Sequence, residues 1–390
     1  MVTRTVYFAT NRQPITRRGG AAIIGFGSDP GPVDGAAVRF GSVDIEVDLN
    51  DPDEGSQTSY LPETLAVAEE QLVGTANFTP KKGSKTVFDA LRQSMKRDGK
   101  PTIVIIHGYS NSFEDAMRRA AWIGEYYKAG TGGIDANVFA FSWPSRGSDL
   151  GVPLPFVDYI HDRATAAQSG VAVARTLRIL HRFIDGLPVQ EYCHQPIHLV
   201  CHSMGNFVLR HAMAAMIRDP EPVDDMEVPN NDKDVDLSDI RPMLYSEHAD
   251  PNPSAVRRTF DQIILAAADV DDDAFDKEQK FKYLPRLGRQ VTVYHSHRDW
   301  ILNTLSRITK FNGPRLGVDG PDNMSTISDK VAAVDVSELL DHGEDSDRQN
   351  HQYYRKCDRV RDDIIQVLAG KRPNEVAGRS SAGGQRWRLG

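Results

Sequence analysis

Three side chains far apart in this 390-residue sequence could together activate a nucleophile: Ser203, Asp299 and His351. A serine hydroxyl is a poor nucleophile near neutral pH and needs a positioned base. Imidazole serves best, because its ordinary pKa of about 6.5 lets it take and return a proton. A carboxylate then fixes the imidazole tautomer and stabilises the imidazolium. Ser203 stands in Cys201-His202-Ser203-Met204-Gly205. Before it, Ile197–Cys201 is short, apolar and rich in β-branched residues, which suits a strand buried on both faces. From Asn206 onward, Phe207, Leu209, Met213 and Met216 recur at helical spacing among good helix formers. The chain must therefore turn sharply from strand to helix at Ser203. Such a nucleophile elbow pushes the hydroxyl out at the carboxyl edge of a sheet, and its tightness demands small neighbours. Cys201 replaces the usual first glycine of the pattern and is small enough to fit.

Each partner has a rival. For the base, His342 lies in an acidic, Gly-containing loop, whereas His351 follows the last strand and precedes the closing helix. For the acid, Asp269 and Asp271 follow one strand and Asp299 the next, and any of them could instead cap a helix. Asp299 and His351 are preferred, giving the chain order Ser, Asp, His. An oxyanion would need two fixed N–H donors. One is expected from the backbone of Met204, where the start of a helix favours negative charge. The other is expected from Tyr109, just past the strand Thr102–Ile106. Trp143, in Ser142-Trp143-Pro144-Ser145, is a core aromatic or a pocket wall. Cys193, His194, Cys201 and His202 do not suggest a metal centre, since Cys201 and His202 belong to the elbow, and no cofactor is expected.

The elements that must position these groups alternate along the chain. Arg4–Thr10 reads as a strand and Ala37–Val47 as a half-exposed antiparallel edge strand. Lys85–Met95 is an amphipathic helix, Thr102–Ile106 a buried strand, and Asn111 or Ser112 opens a helix reaching Tyr127. Asn137–Phe141 is a strand and His161–Ile184 a long helix. Beyond the elbow, strands are expected at Gln262–Ala267, Gln290–Tyr294 and Ala332–Val336, with helices at Trp300–Ile308 and up to Leu368. This alternation predicts an α/β fold, a mostly parallel, doubly wound sheet with helices on both faces. Ligands bind beyond the carboxyl ends of such strands, where the candidate residues all fall. Residues 1–370 read as a single domain, with Asp219–Ala255 an acidic insertion or flap. The Gly-, Ser- and Arg-rich residues 371–390 are expected to be a disordered tail.

A net charge of −8 argues against nucleic acid or an anionic membrane as partner. No stretch approaches the roughly 18 apolar residues of a membrane span, and Met1–Gln13 lacks a signal-peptide core. Three cysteines make no disulfide framework, which points to a reduced, cytoplasmic setting.

Several segments together resemble a family. His-Gly-Tyr-Ser-Asn-Ser-Phe-Glu-Asp-Ala from His107, Phe-Ser-Trp-Pro-Ser from Phe141 and Cys-His-Ser-Met-Gly-Asn from Cys201 are similar to uncharacterised bacterial α/β-hydrolases of esterase/lipase type. Ile-Leu-Ala-Ala-Ala-Asp-Val-Asp from Ile264, the stretch around Asp299, and His-Gln-Tyr-Tyr from His351 are similar as well. The resemblance runs from Thr102 to Leu368. It implies an α/β-hydrolase fold and a serine hydrolase acting on a small-molecule carboxylic ester or related acyl bond. Acyl transfer on the same triad and a non-catalytic binding scaffold are the alternatives. The family has no defined substrate, so substrate identity and oligomeric state are left open.

Overall fold

A computed structural model of the chain describes residues 1–20, 22–31, 37–51, 56–68, 83–146, 155–218, 252–306, 314–340 and 350–390. His342 and residues 219–251 of the acidic insertion lie outside the described residues.

The amino-terminal strands are β1 (Val2–Thr10), β2 (Arg12–Thr16), β3 (Ile23–Pro30), β4 (Arg39–Val47) and β5 (Thr58–Val67). Alternation of strand and helix then begins. Helix α1 (Gly83–Asp98) precedes β6 (Thr102–Ile106), α2 (Phe113–Ala129) precedes β7 (Asn137–Ser142), and α3 (Pro155–Asp185) precedes β8 (Ile197–His202). Helix α4 (Met204–Arg218) leads on to β9 (Phe260–Ala266), β10 (Gly288–His295) and β11 (Val331–Asp335). The chain closes with α5 (Asp358–Leu368), β12 (Arg379–Ser381) and β13 (Arg386–Leu389).

Eleven strands form one sheet in the order β12-β13-β11-β10-β9-β8-β6-β7-β1-β4-β5. From β13 to β1 every neighbouring pair is parallel, while β4, β5 and β12 add antiparallel pairs at the two ends. A parallel sheet must be covered on both faces, and the strand residues divide accordingly. Val104, Ile106, Leu199 and Cys201 face a core shared with α1, α3 and α4. Ile103, Ile105 and Val200 face a second core shared with α2 and α5. That is the period of two expected of buried strands. Ser112 caps α2, and its capping box closes through the Asp115 side chain.

Two expectations are corrected. The strand expected at an edge, β4, is interior, because β5 pairs outside it. Pro62 and Glu63 obscure the strand pattern of β5 in the sequence, yet both are exposed on an outermost strand that tolerates them. The carboxyl-terminal residues are not a disordered tail. Arg386 and Arg388 of β13 pair with Ala333 and Asp335 of β11, extending the sheet past β11. Composition hides this, because a four-residue strand becomes stable only against an existing sheet. A fully buried ion pair fastens the extension. Arg379 donates from Nε to Asp363 Oδ2 at 2.8 Å and from Nη2 to Oδ1 at 2.5 Å, and Tyr294 donates to Oδ1 at 2.6 Å. Leaving Asp363 buried and unpaired in Arg379→Ala should lower stability by about 3–5 kcal/mol. Urea unfolding measures this, and a loss below about 1 kcal/mol would show the extension to be inessential.

Candidate active site

β8 ends at His202 and α4 begins at Met204, so Ser203 is the whole turn. Its φ is +53°, the left-handed region that residues with a Cβ seldom occupy. Neighbouring groups hold it there. The Ser203 N–H donates to Ala266 O at the end of β9 (3.0 Å), and the Ser203 carbonyl accepts the Asn206 and Asp269 N–H groups (3.0 and 3.2 Å). The Asn206 side-chain amide adds bonds to the carbonyls of Cys201, Ser203 and Ala266. A Cβ on Gly205 would lie 2.5 Å from Ile106 O and 2.6 Å from His107 O, so only glycine allows α4 to approach β6 this closely. Cys201 is buried in the core, which pushes its thiol pKa well up.

His351 and Asp299 come together from the loops after β11 and β10. His351 Nδ1 lies 2.7 Å from Asp299 Oδ2, and both side chains are buried. A carboxylate only accepts, so Nδ1 carries the proton and Nε2 of the neutral ring is left with its lone pair. Nε2 is buried and has no hydrogen-bond partner among the described residues. The other Asp299 oxygen, Oδ1, accepts the Leu302 N–H at 2.9 Å. The helix-capping role and the histidine-holding role thus fall on one residue. Burial raises the Asp299 carboxyl pKa, and His351 opposes the rise. Of the rivals, Asp269 accepts from Tyr159 Oη at 2.5 Å with Arg163 and Arg315 beside it. Asp271 pairs with Lys280 and Arg315.

The family profile of α/β-hydrolases of unknown function (DUF900) matches residues 84–372. The chain belongs to that family. Searches of curated proteins and of solved structures returned no match.

Several residues of this α/β-hydrolase that the sequence reading passed over hold the site in place. His202 stacks on Tyr354 at 4.4 Å, and its Nε2 lies 3.0 Å from the His351 carbonyl. The base loop is thereby tied to the residue preceding Ser203. Asn350, in the left-handed region at φ +39°, ties the same loop to the acid loop through Ser296 Oγ (2.9 Å).

The loop after β6 rests directly on the elbow. A Cβ on Gly108 would stand 3.0 Å from Ser203 Cβ. The Gly108 carbonyl accepts from His107 Nδ1 (2.7 Å) and Asn111 Nδ2 (3.0 Å). In a trans peptide the N–H points opposite to the carbonyl, so these bonds also set the direction of the Tyr109 N–H. Trp143 is fully buried; it stacks on His107 and donates to the His107 carbonyl at 2.8 Å. It supports the loop rather than lining a pocket. Behind the loop lie two buried charges. Asp162 accepts from the Ser110 N–H, Ser145 Oγ and the Arg146 N–H. Arg12 donates to Ser142 Oγ and to the carbonyls of Ser145 and Asn111. Burial lowers the Arg12 pKa to about 9, with Asp162 and Asp115 opposing. Only the polarity of Arg12 shows in the sequence, and nothing there announces that it is buried.

Histidines are buried uncharged around these strands. Burial lowers the pKa of His198 from 6.5 to about 4, and depresses His107, His202 and His295 in the same direction. An unfolded chain protonates these rings below about pH 6.5, and the folded chain resists doing so. Their contribution to stability is therefore complete above pH 6.5 and is lost as pH falls toward 4. The unfolding free energy should decline across that window, by at most about 1.4 kcal/mol per pH unit for each ring. His198→Leu should make the decline shallower in urea titrations at stepped pH; an unchanged slope would mean His198 titrates alike in both states.

Proposed function

We propose that this α/β-hydrolase is a serine hydrolase that cleaves a carboxylic ester or related acyl bond through an acyl-enzyme. The observation that carries the reading is the state of His351. One ring nitrogen is held by the buried carboxylate of Asp299, and the other is buried with no hydrogen-bond partner among the described residues. The ring lies 4.8 Å from that of His202, the residue preceding the elbow serine. His107 Nε2 and His202 Nδ1 are likewise buried with no partner among the described residues. The second nitrogen of each of those rings meets a backbone carbonyl, whereas that of His351 meets a carboxylate that can stabilise an imidazolium.

In this reading Ser203 Oγ attacks the acyl carbon while His351 Nε2 takes its proton. Asp299 holds the ring and stabilises the imidazolium. As the carbonyl oxygen gains charge, the N–H groups of Met204 and Tyr109 receive it. Met204 is the first residue of α4, so its N–H has no acceptor within the helix and lies at the positive end of the helix dipole. The Tyr109 N–H is aimed by the bonds that hold the Gly108 carbonyl. Collapse of the tetrahedral intermediate expels the alcohol, which takes the proton from His351. A water molecule then repeats the sequence on the acyl-enzyme.

Nitrophenyl esters of graded acyl length, with fluorophosphonate labelling, test the reading. Ser203→Ala should keep the fold, lose the label and lower kcat by about 10³–10⁶-fold. Near-normal turnover by the purified variant would end the serine mechanism. Asp299→Asn should cut kcat far more than Asp269→Asn, since only Asp299 is bonded to the base. The reverse order would move the acid to the loop after β9.

A further inference from the structure

At the opposite end of β8 from Ser203, the described residues line an open cavity of about 410 Å³. It opens where the chain enters β8 and β9. With six strand residues between them, it lies about 20 Å from the serine. One wall is apolar and built by α1, with Phe88, Leu91 and Met95. Facing it, α3 contributes Leu180, Phe183 and Ile184. The volume falls within the range of small-molecule sites, and an apolar surface of this kind gains little from water.

The mouth is cationic, with Arg92, Arg258 and Arg289. Two of the three are neutralised. Arg289 grips Asp261 with both arms of its fork, at 2.6 and 3.0 Å. Arg92 lies between Asp89 and Glu191, at 3.6 and 3.4 Å. Arg258 is exposed and makes no ion pair with any described residue. The cavity thus offers a long apolar slot and one uncompensated guanidinium at its entrance. A dianion would find too little positive charge, and an uncharged hydrocarbon would leave the guanidinium without a partner.

We infer that this cavity binds an amphipathic monocarboxylate, with its hydrocarbon chain between α1 and α3 and its carboxylate on Arg258. The planar guanidinium matches a carboxylate in a two-bond fork, while burial of each chain methylene adds to affinity. The site is separate from Ser203, so the inference does not depend on the catalytic reading.

Decanoate, decanol and acetate are the probes, titrated calorimetrically against the full chain. Decanoate should bind saturably at one site. Acetate, lacking the chain, and decanol, lacking the charge, should bind more weakly. Arg258→Glu, an exposed substitution, should weaken decanoate about tenfold by reversing the charge at the mouth. Leu91→Trp fills the slot and should abolish binding; its thermal melt and circular dichroism establish that it folds. Hydrogen exchange should show decanoate protecting residues 88–95 and 180–197, with 107–111 unchanged. Absence of saturable binding, indifference to Arg258→Glu, or protection confined to 107–111 would overturn the inference.

Discussion

The site hangs on one backbone constraint, the left-handed conformation of Ser203. A residue with a Cβ held there costs about 1–3 kcal/mol, and it persists only where its surroundings over-determine it. They do so from three sides. β9 supplies the acceptor for the Ser203 N–H, α4 supplies Asn206, and the loop after β6 packs against the serine itself. The two glycines follow from the same crowding. Gly205 lets the helix meet the β6 backbone, and Gly108 lets the loop meet the serine. Relaxing any one side would free the turn and blunt the exposure of the hydroxyl.

A second feature is the concentration of buried charge behind that turn. Arg12, Asp162 and Asp299 are all fully buried. Removing a charge from water is unfavourable unless hydrogen bonds replace the lost hydration. Each of the three is hydrogen-bonded to groups in the rim loops, and Arg12 also reaches Ser142 in β7 and Gly27 in β3. Arg12 holds the carbonyls of Asn111 and Ser145, Asp162 holds Ser110, Ser145 and Arg146, and Asp299 holds Leu302 and His351. Loops at a sheet rim have little apolar surface to bury, so packing alone would fix them poorly. Charge-assisted hydrogen bonds supply the direction that packing lacks. The amino-terminal strands thereby acquire a role in the site, because Arg12 reaches it from the start of β2.

The two ends of the sheet differ in kind. At the carboxyl ends of the strands, polar groups are densely paired with one another, although among the described residues ring nitrogens of His107, His202 and His351 are buried without a hydrogen-bond partner. At the amino ends, apolar helix faces diverge around an open cavity whose charge sits at the entrance. The first is built to orient a few atoms, whereas the second is built to accommodate bulk.

The sequence by itself determined the parts whose signals are local. Buried strands such as Thr102–Ile106 are continuous apolar runs, and α2 shows both its cap and its amphipathic face. The elbow is legible because strand, small residues and helix follow one another within a few positions. The position of His351 between the last strand and the closing helix is legible in the sequence. The order Ser, acid, His fits Asp269 and Asp299 alike, and the pairing of acid with base rests on a contact between residues 52 apart. Only the tertiary structure decided what depends on distant partners. Asp269 and Asp299 follow neighbouring strands and look alike in sequence; Tyr159 engages one and His351 the other. Trp143 became a loop support because His107 lies flat against it. The carboxyl-terminal residues have the composition of a tail, yet β11 offers them an edge and Asp363 a buried partner for Arg379. Local patterns fix the backbone's own preferences, but the role of a polar side chain is set by whichever group the fold brings within 3 Å of it.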